Sequence, residues 1–233
     1  MTAATGSDPA SRLSTGPATV RRGGGPARAP WLGPVALVLL TLIPMIAGSL
    51  RVIEIAGGPH VLPDNPRIDA SPAPVVVHVV AAVTFALVGA LQFSARLRRR
   101  HRAWHRRAGR VVAVAGLLVA GSGLWMTLFY ADAPGGALLW TARLLAGTAV
   151  AAGLVLGVTA IRRRDVVAHR AWMIRAYALA VAAGTQTFTQ GFGEAVFGRN
   201  DLSTGLSVSA GWVINAAVAE VIVRRPAARA GSR

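Results

Sequence analysis

The chain has no cysteine and no lysine. Without cysteine there is no disulfide, no thiol nucleophile, no thiolate zinc or iron–sulfur site and no c-type haem attachment. Acidic residues are also scarce, 9 against 25 basic residues, and every basic residue is Arg. Charged residues make up only 15% of the chain and apolar residues 53%. That balance suits lipid better than water. The familiar enzyme signatures are missing too. There is no GxSxG, HExxH, P-loop or dinucleotide fingerprint, and no pair of carboxylates in a common apolar setting. Catalysis is therefore left unassigned.

What is present is a series of long apolar runs. A helix rises about 1.5 Å per residue, so about 20 apolar residues cross the hydrocarbon of a bilayer. Six stretches meet that length: Trp31–Leu50, Pro74–Ser94, Val111–Ala131, Ala137–Ile161, Trp172–Gln190 and Leu206–Val223. The expected fold is all-α, a polytopic membrane bundle of six transmembrane helices over residues 31–223 with a core at 74–190. Residues 1–30, rich in Gly, Ala, Pro and Ser, lack the apolar content to fold and are expected to be a disordered cytoplasmic tail. Residues 224–233 form a short basic cytoplasmic tail. Pro34 and Pro44 do not argue against the first span, since neighbouring helices can satisfy the carbonyls that proline frees. The polar run from Thr185 to Gln190 reads as an early end to the fifth span, with hydrogen bonding to another helix as the other reading.

A net charge of +16 would ordinarily suggest a nucleic-acid partner. Here the arginines flank the apolar runs and no nucleic acid is implied. Residues 96–110, 162–175 and the stretch after Val223 are dense in Arg. The alternate loops carry Glu54, Asp64, Asp69, Asp132, Glu194 and Asp201 with few arginines. Positive loops stay inside, so both termini are expected in the cytoplasm and the protein in the cell membrane. The partners implied are the bilayer and anionic headgroups on its cytoplasmic side. Trp31, Trp140, Trp172, Trp212 and Tyr130 fall at predicted helix ends and read as interfacial anchors.

The arginines also carry a repeat. Arg98-Arg99-Arg100 followed by His105-Arg106 recurs as Arg162-Arg163-Arg164 followed by His169-Arg170, with the same internal spacing. Thr84 matches Thr148 and Gly89 matches Gly153 at the same offset. The second and third spans thus read as a tandem repeat of the fourth and fifth, running parallel. This makes His105 and His169 pseudo-symmetric at the cytoplasmic mouths of two helices.

The run through His78, Leu91-Gln92-Phe93, His105-Arg106, Gly109-Arg110, His169-Arg170-Ala171-Trp172-Met173-Ile174-Arg175 and Tyr177-Ala178-Leu179 resembles a bacterial membrane-protein family, domain of unknown function 2306. The resemblance covers roughly residues 75–190 and implies a multi-pass membrane protein without an assigned activity. A looser likeness is to cytochrome b561-type cores, where His pairs on alternate helices hold haem. That likeness implies His105 and His169 as axial ligands to a haem b iron, with His78 as half of a second pair whose partner position offers no His. Electron transfer, with quinone or another redox partner, follows from it.

Each residue also has a plainer reading. His105 and His169, with Arg106 and Arg170, can bind lipid phosphate; the same arginines can instead neutralise haem propionates. His78 is an ionisable group within a span and so a site candidate, or else an interfacial His bonded to a carbonyl. Arg143 within the fourth span must snorkel, face the interior or pair with Asp132 or Glu194; beside His78 it would mark an outer-side anion or quinone site. Glu220 is expected to reach Arg224 one turn on. The alternative to a haem protein is a non-catalytic membrane protein, a small transporter or a partner subunit, although the second to fourth spans offer few polar groups for a transport path.

Overall fold

The computed structural model describes residues 31–131 and 134–225. The tail 1–30, nearly all of 224–233, and Asp132 lie outside the described residues. Among the described residues every regular element is a helix: α1 (Leu32–Ile55), α2 (Pro66–Ala70), α3 (Ala73–Gln92), α4 (Ala95–Arg100), α5 (Arg102–Phe129), α6 (Gly136–Arg162), α7 (Val166–Ala180), α8 (Ala182–Phe197) and α9 (Asp201–Arg224). Five of them, α1, α3, α5, α6 and α9, are long and apolar enough to cross a membrane. Several helices run beyond the apolar stretches that predict them. α5 starts at Arg102 rather than Val111, because arginine is a good helix former and its long stem lets the charge reach outward. The Arg-rich segments are therefore largely helical. Ser94 caps α4 by accepting from the Leu97 N–H, and Asp165 caps α7 by accepting from the Ala168 N–H at 2.9 Å.

The expected fifth span is divided. α7 stops at Ala180, Val181 forms a turn, and α8 continues from Ala182 to Phe197. The polar run does not end the helix. It lies inside α8 because its side chains find partners within the bundle, which was the other reading of the run. Thr185 Oγ1 donates to Asn215 Oδ1 at 2.7 Å, and Gln186 Nε2 donates to the Val208 carbonyl at 3.2 Å. Thr187 and Thr189 bond back to their own helix. Asn215 in turn donates to the Ala178 carbonyl at 2.7 Å. The regular helical partner of that carbonyl, the Ala182 N–H, lies across the break.

α1 carries a second interruption. Pro34 sits in the first turn, where its missing N–H costs nothing. Pro44 is interior and removes the donor for the Leu40 carbonyl. Gly184 of α8 meets that oxygen, so closely that a Cβ at residue 184 would land on it. Only glycine allows the two backbones to approach this far, and the weak C–H donor of its Cα faces the freed carbonyl.

The helices pack in a closed order: α1 against α3, α3 against α5, α5 against α6, α6 against α9, α9 against α8, and α8 against α1. α7 packs on α6 and α9. The core joins Phe85 of α3, Val112 and Ala115 of α5, Leu154 of α6, and Ala176 and Tyr177 of α7. Tyr177 stacks on Phe85, meets Phe93 edge-on, and donates its hydroxyl to the Ala86 carbonyl at 2.8 Å. Its ring fills the space that Gly89 leaves open. Gly153 and Gly157 of α6 face Ala176 and Met173, so the small-residue step in this helix does allow close helix packing. Large apolar side chains such as Leu39, Val114, Leu145 and Val213 point outward, as lipid-facing surfaces require.

At the end opposite the arginines, Glu54 accepts from the N–H groups of Val61 and Leu62, both at 2.6 Å, and pairs with Arg51 at 2.8 Å. Tyr130 donates to the Ser71 carbonyl at 2.6 Å. These contacts hold the connection around α2 to the bundle.

Two stability outcomes follow. Asn215 is only 8% exposed. Replacing it with Leu strands the Ala178 carbonyl and the Thr185 hydroxyl, a loss of about 1–3 kcal/mol. Thermal unfolding in detergent, followed by circular dichroism, should show a clear drop for Asn215→Leu and none for Thr187→Ala, whose exposed hydroxyl bonds only its own helix. Gly184→Val should be worse still, because the obstacle is backbone, whereas Gly191→Val meets open space and should fold normally.

Candidate functional site

The Arg-rich end of the bundle gathers the residues of greatest chemical interest. His105 and His169 occupy equivalent places in their helices. Each lies four residues after an N-cap, His101 for α5 and Asp165 for α7, and each donates its backbone N–H to that cap's carbonyl at 3.0 Å. The first turns of α5 and α7 thus present the two imidazoles at matching depth.

The two rings differ in what holds them. His169 Nδ1 lies 2.8 Å from the Gly157 carbonyl of α6. A carbonyl only accepts, so Nδ1 carries a proton, and in the neutral ring Nε2 is the nitrogen with the lone pair. His105 Nδ1 is buried and has no hydrogen-bond partner. His169 is near enough to act on the His105 ring electrostatically, together with Arg98 and Arg106. Gln92, the last residue of α3, has both amide atoms buried without partners. Its Oε1 faces Gly109, one helical turn beyond His105 on α5. Three unmet polar atoms in one packed helix end are unusual, since buried polar groups are nearly always paired. Gln92 appears in the sequence motif, but its polarity at the end of an apolar helix was the only signal that it belongs here.

Arg106 and Arg170 follow the two histidines and are exposed. They are free to meet an anionic group at this end. Among the described residues no cluster of three or more His, Asp or Glu could hold a metal ion, so any metal here would rest on the two imidazoles alone.

The remaining site candidates lie elsewhere. His78 of α3 is bonded through Nδ1 to Ser122 Oγ of α5 at 3.0 Å. Its side-chain partner is therefore a hydroxyl on the neighbouring helix and not Arg143. Arg143 is on α6, whereas the main neighbours of α3 are α1 and α5. No hydrogen bond joins His78 to Arg143. Nor does Glu194 pair with Arg143: it binds Arg199 and Gln190, both at 2.9 Å. Among the described residues Arg67 is a charge near enough to act on Arg143, whereas Asp132 lies outside them.

Glu220 reaches Arg224 at 3.1 Å, as its spacing predicts. A further partner, Arg175 of α7, meets it at 2.5 Å and also lies over the Trp172 ring. The sequence signal for that contact was two opposite charges inside apolar helices, each costly alone. It ties α7 to α9 below the break.

No curated protein and no solved structure matches the chain. The family model described as predicted membrane protein (DUF2306) matches residues 75–223, from the first turn of α3 to the last turn of α9, and with well over half its length covered the chain belongs to that family of multi-pass membrane proteins.

Proposed function

We propose that the chain is a six-span membrane protein with both termini in the cytoplasm, and that it binds a b-type haem between His105 and His169 for electron transfer. In this reading α7 and α8 together form the fifth span, 32 residues from Val166 to Phe197 with a turn at Val181. The helix pairs α3–α5 and α6–α7 are the two halves of a tandem repeat. Their matching N-caps, His101 and Asp165, and the matching histidines four residues on support that reading. So does the contact pattern, in which these two pairs make the most extensive helix contacts.

The observation that carries the haem reading is the state of the two imidazoles. An iron-ligating His offers one nitrogen to the metal and has the other held by a carbonyl or similar group. His169 fits: Gly157 holds Nδ1 and leaves Nε2 to ligate. His105, half-buried nearby, keeps its buried Nδ1 unmet, and the Gln92 amide is the unmet group in the same helix end that would hold it. Arg106 and Arg170 would face the propionates. A haem held by His105 and His169 would supply one-electron redox chemistry, with a quinone or a redox protein at the cytoplasmic face as its partner. The protein's own part is to fix ring orientation, bury the imidazoles and supply positive charge.

A second reading, a non-catalytic membrane protein such as a small transporter or a partner subunit, draws support from one observation. Neither the cavity in the middle of the bundle nor the one beside Glu54 is lined by His105 or His169.

The absorption spectrum of detergent-purified protein from haem-replete cells separates them. A Soret band that disappears in both His105→Ala and His169→Ala is the expected result. A colourless, well-folded preparation would rule out the haem and leave the second reading. Orientation has its own test, made clean by the absence of cysteine. Single-cysteine variants Arg100→Cys and Arg199→Cys should react with a membrane-impermeant maleimide from opposite sides, the first only in inverted vesicles and the second only in intact cells. The reverse pattern would invert the topology.

A further inference from the structure

A cavity of about 240 Å³ lies between α1, α3 and the α7–α8 break. Thr41, Pro44, His78, Ala82, Phe85 and Val181 are among its walls. It sits at the level of the membrane's middle, because Thr41 and Pro44 are central in α1 and Ala82 is central in α3. Both helix interruptions of the molecule border it, Pro44 from one side and Val181 from the other. Irregular backbone at this depth is tolerated where protein covers it or where it lines a cavity.

No charged residue lines this space. Of its two polar side chains, Thr41 is committed: its hydroxyl donates to the Leu37 and Val38 carbonyls at 3.1 Å. His78 is different. Ser122 Oγ directs its only proton at the Leu118 and Val119 carbonyls of its own helix, which leaves its oxygen to accept from His78 Nδ1–H. The Nδ1–Cε1 edge of the ring rests against Ser122 and Gly123 of α5. His78 also lines the cavity, and with Nδ1 and Cε1 against α5 the ring nitrogen left to meet it is Nε2. The cavity thus has apolar walls and one fixed hydrogen-bond acceptor, the Nε2 lone pair.

We propose that this cavity binds a neutral, lipid-soluble molecule with a ring-sized apolar body and one hydroxyl donor, of the phenol or quinol-headgroup class, whose hydroxyl donates to His78 Nε2. The volume sets the size, since pockets for drug-sized ligands run to roughly 300–1,000 Å³. The walls exclude charge. The lone acceptor selects a donor, because an apolar molecule without one leaves Nε2 unmet and gains only packing. An ionisable side chain fixed at this depth is otherwise a cost without return. This site is separate from the histidine pair and does not depend on a haem.

The test uses full-length protein labelled with ¹⁵N-histidine in lipid nanodiscs, at a pH where the imidazole is neutral, with the His78 signals assigned by their loss in His78→Gln. The probes are 2-naphthol and 2-methoxynaphthalene, alike in shape but differing in the donor. The expected result is a saturable shift of the His78 Nε2 resonance with 2-naphthol, none with 2-methoxynaphthalene, and loss of the shift in Ala82→Phe, which fills the cavity. No saturable shift with 2-naphthol, as when a lipid chain holds the space, would overturn the proposal. So would an equal shift with both probes, or a shift that survives Ala82→Phe in a folded protein. If Ala82→Phe does not fold, the comparison of the two probes still decides.

Discussion

A carbonyl without a donor is costly where water is absent, and the middle of this bundle is arranged around two of them. Pro44 deprives the Leu40 carbonyl of its donor, and the turn at Val181 separates the Ala178 carbonyl from its own. The answers come from other helices. Gly184 brings the α8 backbone onto Leu40, and Asn215 sends its amide from α9 to Ala178. α1, α7, α8 and α9 are therefore joined by a need of the backbone and not only by side-chain packing. Removing either answer leaves a defect that lipid cannot satisfy. The same two interruptions keep α1 and the α7–α8 span from packing flush, and the cavity occupies the space between them.

Much of this was legible in the sequence, and for a physical reason. Lipid demands long apolar helices, and hydropathy reads that demand directly; five of the expected spans appear as single helices. What hydropathy could not read was pairing between distant polar residues. The run Thr185–Gln190 looks like the end of a helix until Asn215 and Val208 are known to face it. Helix ends were misplaced where arginine was taken for loop, since charge excludes a residue from the hydrocarbon but not from a helix. Glu220 was assigned to Arg224 by spacing, yet its shorter contact is with Arg175, 45 residues earlier in the chain.

The histidines show a similar division. Sequence spacing singled out His105 and His169 and predicted their matching positions, because equal distance from a helix start gives equal depth. It could not foresee that Gly157 would fix one ring while the other remained unmet. Nor could it pick out Gln92, whose significance comes from burial at the end of α3. For His78 and Arg143 the sequence supplied two improbable residues of similar depth and no direction. Direction decides the matter: His78 faces Ser122 on one edge and the cavity on the other, while Arg143 belongs to a helix that is not a main neighbour of α3.

The cavity and the histidine end are separate in place but continuous in packing. Phe85 is a wall of the cavity and stacks on Tyr177 at 5.2 Å between ring centroids. Tyr177 meets Phe93 at 4.9 Å, and Phe93 follows Gln92 in the chain. This row of rings has little slack. Gly89 closes on one side of Tyr177, and the hydroxyl is tied to the Ala86 carbonyl on α3. A close-packed interior passes a displacement to its neighbours when no void can absorb it. The void here lies at the Phe85 end. Contact alone is not coupling, which requires an element with two arrangements that both sites bias. The turn at Val181 borders the cavity and follows directly on α7, the helix that carries Tyr177 and His169.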